Sequence, residues 1–340
     1  MKEIQLLDKE TISNTSKSFL SHANDNWARI EVKFVGLCGS DIHRYKIDEE
    51  IFKNKILGHE FTGIISKIEN NRYGLKKGME ITVIPLVYCG QCDFCRQGKF
   101  NHCKNLKSIG KEIPGAFSKE VFVPIRNIRR LPKEINLKLG TLIDPIAVAI
   151  HTYHKIKKKQ QKNILIVGDG TIGLCCLNIF SRTNCVDVIG KHKYNLSLCS
   201  SLGARNVYKS GNIKSIPINS YDVIIECVGG AQSETLNESV RLLKPSGTIL
   251  VLGVFKKKYM GELNYRNLFY KEGTLLGVNS YCIFRGQNEF DLAIKELKEN
   301  YKCYKDIITH VFPLSNLNMA LNYIKERDNH NIIKPIFYID

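Results

Sequence analysis

Hydrophobic and polar positions alternate through the first third of the chain. Residues 28–35 (ARIEVKFV) alternate between apolar and polar up to Phe34, the period of a half-buried strand. Residues 61–68 (FTGIISKI), 81–85 and 117–123 read the same way. Glycines and polar clusters separate these runs. Several short strands with little helix predict a small barrel-like or sandwich domain. At Asp144 the period changes. The segment 144–156 (DPIAVAIHTYHKI) carries apolar residues at helical spacing, and 163–167 (NILIV) is a compact apolar strand. An apolar helix start (LCCLNIF), a strand at 186–190, a helix at 196–202 and buried strands at 222–226 (DVIIE) and 248–252 (TILVL) follow. Strands alternating with helices in units of about 30 residues predict parallel βαβ architecture. From about Phe284 the pattern changes again, to an amphipathic helix at 288–299, a helix at 314–326 and a closing strand at 334–338. No internal repeat is visible.

The length, 340 residues with 43% hydrophobic, suits two domains better than one. No apolar run approaches the ~18 residues that a membrane span needs. The opening MKEIQLLDKE is polar and lacks a secretory core, so a cytoplasmic chain is expected. Fifty Lys and Arg against 33 Asp and Glu give a net charge of +17. Such an excess suits nucleic acid, a membrane surface or a phosphorylated ligand. The densest basic runs, 155–162 and 256–258, are short and hold no interleaved aromatics for stacking bases. They read as solvated faces, with a phosphate-bearing substrate or cofactor as the next reading. Neither nucleic acid nor membrane is an expected partner.

Twelve cysteines change the picture. Cys89, Cys92, Cys95 and Cys103 form C-x2-C-x2-C-x7-C, a spacing that lets one loop wrap a tetrahedral ion. An iron–sulfur cluster uses similar runs, but the long last gap and the missing Cys-Pro favour a structural zinc. Its lobe would be residues 86–106. Cys175, Cys176, Cys185, Cys199, Cys227, Cys282 and Cys303 lie mostly in apolar stretches and read as small buried hydrophobes.

Cys38 differs. It sits in GLCGSDIH at the end of a strand, and GHEFTG follows at residues 58–63. A thiol with an adjacent His-Glu pair makes a mixed sulfur, nitrogen and oxygen set suited to a catalytic zinc with an open position. These two motifs, the cysteine lobe and a later G-x-G-x-x-G resemble, in this order and over essentially the whole chain, the zinc-dependent medium-chain alcohol/polyol dehydrogenase family. Within it the resemblance is to sugar-alcohol dehydrogenases of the galactitol-1-phosphate dehydrogenase kind, carried by residues 84–87, 144–146 and 163–173. The resemblance implies that Cys38, His59 and Glu60 bind the catalytic zinc. It aligns Asp144 with a family carboxylate that is one methylene longer, so Asp144 is expected either as a ligand or bridged through water. Ser40 and His43 match a proton relay, and Asp41 is placed to orient His59.

The glycine loop is Gly168-Asp169-Gly170-Thr171-Ile172-Gly173, between an apolar strand and an apolar helix. In that context it reads as a dinucleotide site, with the helix amides facing pyrophosphate. An enzyme for NAD closes its second strand with an acidic residue on the ribose. Family spacing puts that position at Gly190, followed by Lys191, His192 and Lys193, so NADP(H) is expected over NAD(H). Asp169 is expected to point outward. Cys227 and Val228, Gly253, and Gly277 and Val278 follow successive strands and should line the same cleft.

The expected fold is α/β: a β-rich GroES-like catalytic domain (1–145 and 283–340) and a Rossmann domain (146–282), with the active site in a cleft between them. The implied enzyme carries two zinc ions, transfers hydride between a nicotinamide cofactor and a polyol, sugar alcohol or sugar-alcohol phosphate, and is a homodimer or homotetramer. The alternatives are an amino-alcohol or cyclitol dehydrogenase resembling L-threonine dehydrogenase and, from charge and cysteines alone, a zinc-stabilised nucleic-acid-binding protein. The second leaves Cys38, the His-Glu pair and the glycine loop unexplained.

Overall fold

A computed structural model describes residues 26–42, 56–69, 71–156, 161–230, 233–254 and 262–340. His43, the basic run 256–258 and part of the run 155–162 lie outside the described residues. The backbone groups into two units. One takes the chain up to Asp144, Cys282–Glu326 and Lys334–Asp340; the other takes Pro145–Tyr281 and Arg327–Ile333.

The strands of the first unit begin with β1 (Trp27–Gly36), β2 (Glu60–Lys67), β3 (Glu80–Val83), β4 (Glu120–Pro124) and β5 (Ile128–Arg130). The second unit supplies β6 (Asn163–Val167), β7 (Cys185–Gly190), β8 (Asn206–Lys209), β9 (Tyr221–Glu226), β10 (Leu243–Val251) and β11 (Thr274–Gly277). The chain then returns to the first unit with β12 (Ile308–Pro313) and β13 (Lys334–Tyr338).

The first unit's sheet runs β12-β13-β1-β2-β3-β5, and β4 also pairs with β1. Strand β1 is long enough to serve two partners along one side. Trp27–Glu31 pair antiparallel with β4, and Phe34–Gly36 pair antiparallel with β13. The sequence alternation has a physical reading here: Ile30, Val32 and Val35 are buried, with Ile65, Ile81, Val121, Val123, Ile336 and Phe337 in the same core. Burying a side chain of this size contributes roughly 1.5–3 kcal/mol. Pairing Gly36 with Ile336 and with Glu60 brings three distant stretches together where the candidate metal residues lie.

The second unit's sheet is wholly parallel, in the order β8-β7-β6-β9-β10-β11. Its central strands are buried on both faces, which explains their unbroken apolar runs. Helices Thr171–Phe180, Lys193–Ser201 and Ser233–Leu242 follow β6, β7 and β9. The strand order reverses direction between β6 and β9, so the crevice beyond their carboxyl ends is the natural ligand position of this sheet. Three of these strands were not read from the sequence, the three-residue Ile128–Arg130 among them. Asn206–Lys209 is a largely exposed edge, and Ile308–Pro313 is interrupted by Thr309 and His310 and ends in proline.

Candidate active site

The turn after β1 presents Cys38. Its carbonyl accepts the amides of Asp41 (3.1 Å) and Ile42 (3.3 Å), and the Cys38 amide donates to Asp41 Oδ2 at 3.1 Å. The Asp41 side chain is thereby folded back under the thiol. Its other oxygen lies 3.3 Å from His59 Nδ1. Residue 59 is itself held by backbone bonds just before it. Gly115, Ala116 and Phe117 amides donate to Ile56, Gly58 and Leu57 carbonyls at 2.7, 2.9 and 3.0 Å. Burial alone would push the His59 imidazole down. The Asp41 carboxylate and the Cys38 sulfur outweigh it and hold the pKa well above 6.5.

Ligand atoms of Cys38, His59 and Glu60 all lie within 4.8 Å of one another. A zinc bound at ~2.0–2.3 Å with tetrahedral angles holds its donors about 3.3–3.8 Å apart, so the trio would draw in by up to about 1–1.5 Å to bind it. The donor set is that of an open, catalytic type of zinc site. Asp144, in the first turn of the helix Ile143–His154, does not join this trio among the described residues. Ser40 is partly buried on the Cys38 turn, and its relay partner His43 is outside the described residues.

Lys334 was not read from the sequence as part of this site. Its side chain is buried, and its Nζ donates to Glu60 Oε2 and, at 3.1 Å, to the Leu37 carbonyl. Burial would lower the ammonium, but Glu60 chiefly, with Cys38 and Asp41, raises it. Gly36 makes the room: a Cβ there would lie 2.8 Å from both Glu60 Oε2 and Lys334 Cε. The sequence signal was a lone lysine inside the apolar run IIKPIF.

The cysteine quartet also converges. Cys92 and Cys95 sulfurs are 3.5 Å apart, and those of Cys89 and Cys95 are 3.9 Å apart. The edge of a ZnS4 tetrahedron is about 3.8 Å, while a disulfide would need about 2.05 Å. None of the twelve cysteines is joined in a disulfide. Backbone amides of Cys95 and Lys104 hold the Cys92 thiol down to about 6, and burial pushes Cys95 up to about 12. Short strands Leu86–Val87 and Lys107–Ser108 close the lobe, and Phe100 stacks on Tyr88 at 4.7 Å. Of the cysteines expected as core, Cys175, Cys176, Cys199 and Cys282 are buried. Cys185 and Cys303 are exposed, which corrects that reading for these two.

In the second unit, every candidate cofactor residue stands at or just past a strand's carboxyl end. Gly168 takes φ +117° directly after β6, and a Cβ on Gly173 would come within 2.0 Å of the Gly168 carbonyl oxygen. Helix and strand pack there at a distance that only hydrogen allows. Gly170 caps the helix holding Thr171, Ile172 and Gly173 without a side-chain bond. The first-turn amides therefore suit an anion such as pyrophosphate. The Cys227 amide bonds the Val167 carbonyl (2.8 Å), and Val228 donates to Glu226 Oε1 (3.2 Å). Gly253 donates to the Glu226 carbonyl (3.2 Å), and Val278, after Gly277, to the Val251 carbonyl (2.9 Å). Gly190 ends β7, with Lys191 exposed and His192 opening the next helix. Asp169 points not outward but onto Gly190, where it is 6% exposed and its Oδ2 accepts the His192 amide at 2.8 Å.

A glycine loop at the switch point of a parallel sheet and a thiol, imidazole and carboxylate trio thus occur in one chain. The alcohol dehydrogenase GroES-like domain matches residues 24–133, and the glucose dehydrogenase C-terminal domain matches residues 137–337. The chain belongs to the zinc-dependent medium-chain alcohol/polyol dehydrogenase family. It is 29% identical over 337 residues to L-galactonate-5-dehydrogenase of Escherichia coli, covering 92% of each chain. It is 28% identical over 302 residues to galactitol 1-phosphate 5-dehydrogenase of the same species, covering 83% of this chain and 84% of that one. The crystal structure of Escherichia coli galactitol-1-phosphate dehydrogenase superimposes with a TM-score of 0.81 at 25% identity, covering 93% of both chains. The GroES-like and Rossmann expectation for this family member is therefore met, and the chain is an alcohol dehydrogenase-type oxidoreductase. Among the described residues no helix is long and apolar enough to cross a membrane.

Proposed function

We propose that this family member interconverts a secondary alcohol of a polyol, sugar alcohol or sugar-alcohol phosphate with the corresponding ketone. Cys38, His59 and Glu60 hold a zinc ion, and the crevice beyond β6 and β9 holds a nicotinamide dinucleotide. The observation that carries the proposal is the convergence of those three donors, with Asp41 orienting His59 and Lys334 on Glu60. When bound, zinc makes the substrate hydroxyl more acidic and the nicotinamide exchanges hydride with its carbon. The chain's own residues do the rest. Asp41 fixes the imidazole, Lys334 neutralises part of the Glu60 charge, and Ser40 with His43 carries the hydroxyl proton outward. Asp144 stands outside the donor trio and serves, in this reading, through water. The quartet Cys89, Cys92, Cys95 and Cys103 binds a second zinc that replaces the core its lobe lacks.

The class is supported by what the relatives act on: galactitol 1-phosphate is a sugar-alcohol phosphate, and L-galactonate is a sugar acid with a similar row of secondary hydroxyls. Between the two dinucleotides, the exposed Lys191 and Lys193 support NADP(H), and the buried Asp169 opposes it. A homo-oligomer is supported by β11, the open edge of its sheet, where Leu275 and Leu276 are exposed beside Phe269 and Tyr270. The test is a panel of polyols, polyol phosphates, sugar acids and amino alcohols followed by nicotinamide absorbance, with zinc counted per chain. Turnover of a polyol or its phosphate by protein carrying both zinc ions is expected. Exclusive turnover of amino alcohols would move the enzyme to the threonine dehydrogenase-like reading.

A further inference from the structure

Asp169 and Gly190 fit each other as a pair. A Cβ built on Gly190 would lie 2.4 Å from Asp169 Cγ and 2.5 Å from its Cβ and Oδ2. The carboxylate therefore fills the space in which a side chain at position 190 would begin. It is also fixed there. The His192 amide donates to Oδ2, and the Asn195 side-chain amide donates to the Asp169 carbonyl at 2.8 Å, tying the glycine loop to the start of the next helix. Strands β6 and β7 are neighbours in the sheet, so this carboxylate stands at the carboxyl end of the second strand although the first loop supplies it. That is where the adenosine ribose of a dinucleotide lies in this architecture.

We propose that Asp169 is the cofactor-selecting residue and that it selects NAD(H). The inference rests on the dinucleotide reading of the crevice. A carboxylate at this point accepts from the ribose hydroxyls, whereas a 2′-phosphate would bring a second anion against it. The surrounding cations do not reverse the choice. Lys191 and Lys193 are exposed and screened by solvent. Arg327 interacts electrostatically with the Asp169 carboxylate, although burial is the larger influence on it. His192 Nδ1 is 3.0 Å from Asp328 Oδ1, a further acidic group on the same rim. Gly190 is then no vacancy awaiting a phosphate. It is the position that must lack a side chain so that Asp169 can reach across.

Fluorescence titration of the intact zinc-loaded protein with NADH and with NADPH tests this directly. Wild type should bind NADH at least about tenfold more tightly. Asp169→Asn keeps the shape and can still accept the His192 amide through its side-chain oxygen. It should weaken NADH and strengthen NADPH, shrinking the ratio by about tenfold or more. Gly190→Ala should displace the carboxylate and weaken NADH, with circular dichroism verifying that both variants fold. NADPH binding more tightly than NADH to wild type, or an unchanged ratio in Asp169→Asn, overturns the assignment while leaving the dinucleotide site intact. Binding of neither nucleotide overturns both.

Discussion

Lys334 sets its ammonium on the Glu60 carboxylate across 274 positions of sequence, with only 2% and 3% of the two side chains exposed. Strand β13 pairing beside the end of β1 makes the meeting possible, because Gly36 leaves room for both groups. A buried charge that loses its partner is costly, by about 3–5 kcal/mol. In the zinc-stripped protein, Lys334→Met should therefore destabilise the fold by about that amount in chemical denaturation. Adding Glu60→Gln to it should recover most of the loss, because the unpaired charge is then gone. Equal stability of Lys334→Met and wild type would show that the pair contributes nothing.

The donor trio makes a second prediction. Cys38→Ser and His59→Ala should each lose one of the two zinc ions and nearly all turnover while the far-ultraviolet spectrum is kept. Asp41→Asn is more informative. It retains the three donors and removes the charge that orients His59, so the affinity of this zinc should fall about 10–100-fold. Competition with a chromophoric chelator measures it. An Asp41→Asn protein that holds zinc as tightly as wild type would remove Asp41 from its positioning role.

The cysteine lobe can be read through its thiols after zinc is stripped. Backbone amides of Cys95 and Lys104 stabilise the Cys92 thiolate, while burial keeps Cys95 protonated. With its thiol held down to about 6, Cys92 is mostly thiolate at neutral pH, and Cys95, pushed up to about 12, is not. Alkylation of the chelator-treated protein, mapped by mass spectrometry, should label Cys92 before Cys95. Acidification below pH 6 should slow the Cys92 reaction, since lowering the pH through its pKa removes the reactive form. Restoring zinc should protect the whole quartet. Cys95 reacting first would contradict the local electrostatics.

What the sequence disclosed depended on range. The alternation of β1 and the glycine loop after β6 are local patterns, and both resolve into the expected strand and turn. The cysteine quartet is local too, since a wrap round one ion is fixed by spacing. Lys334 escaped because its partner is at the other end of the chain and its own strand reads as apolar. Asp169 was located but misdirected. Gly190 was read as the end of the neighbouring strand, but no local pattern shows that the Asp169 carboxylate crosses to fill the space beside it. Strand β12 escaped because Thr309 and His310 interrupt its apolar pattern.

The open edge of the parallel sheet gives the last prediction. All four residues of β11 are solvent-exposed, Leu275 and Leu276 among them, and Phe269 and Tyr270 stand exposed on the helix just before. An uncovered apolar edge strand offers unpaired backbone groups and a surface that gains from leaving water, so it invites a second copy. Light scattering on the purified protein should give a dimer or a larger even-numbered assembly. Leu276→Lys places a charge on that edge and should shift the protein to monomer while leaving zinc content unchanged. If the variant elutes at the wild-type mass, the contact between copies lies on another face.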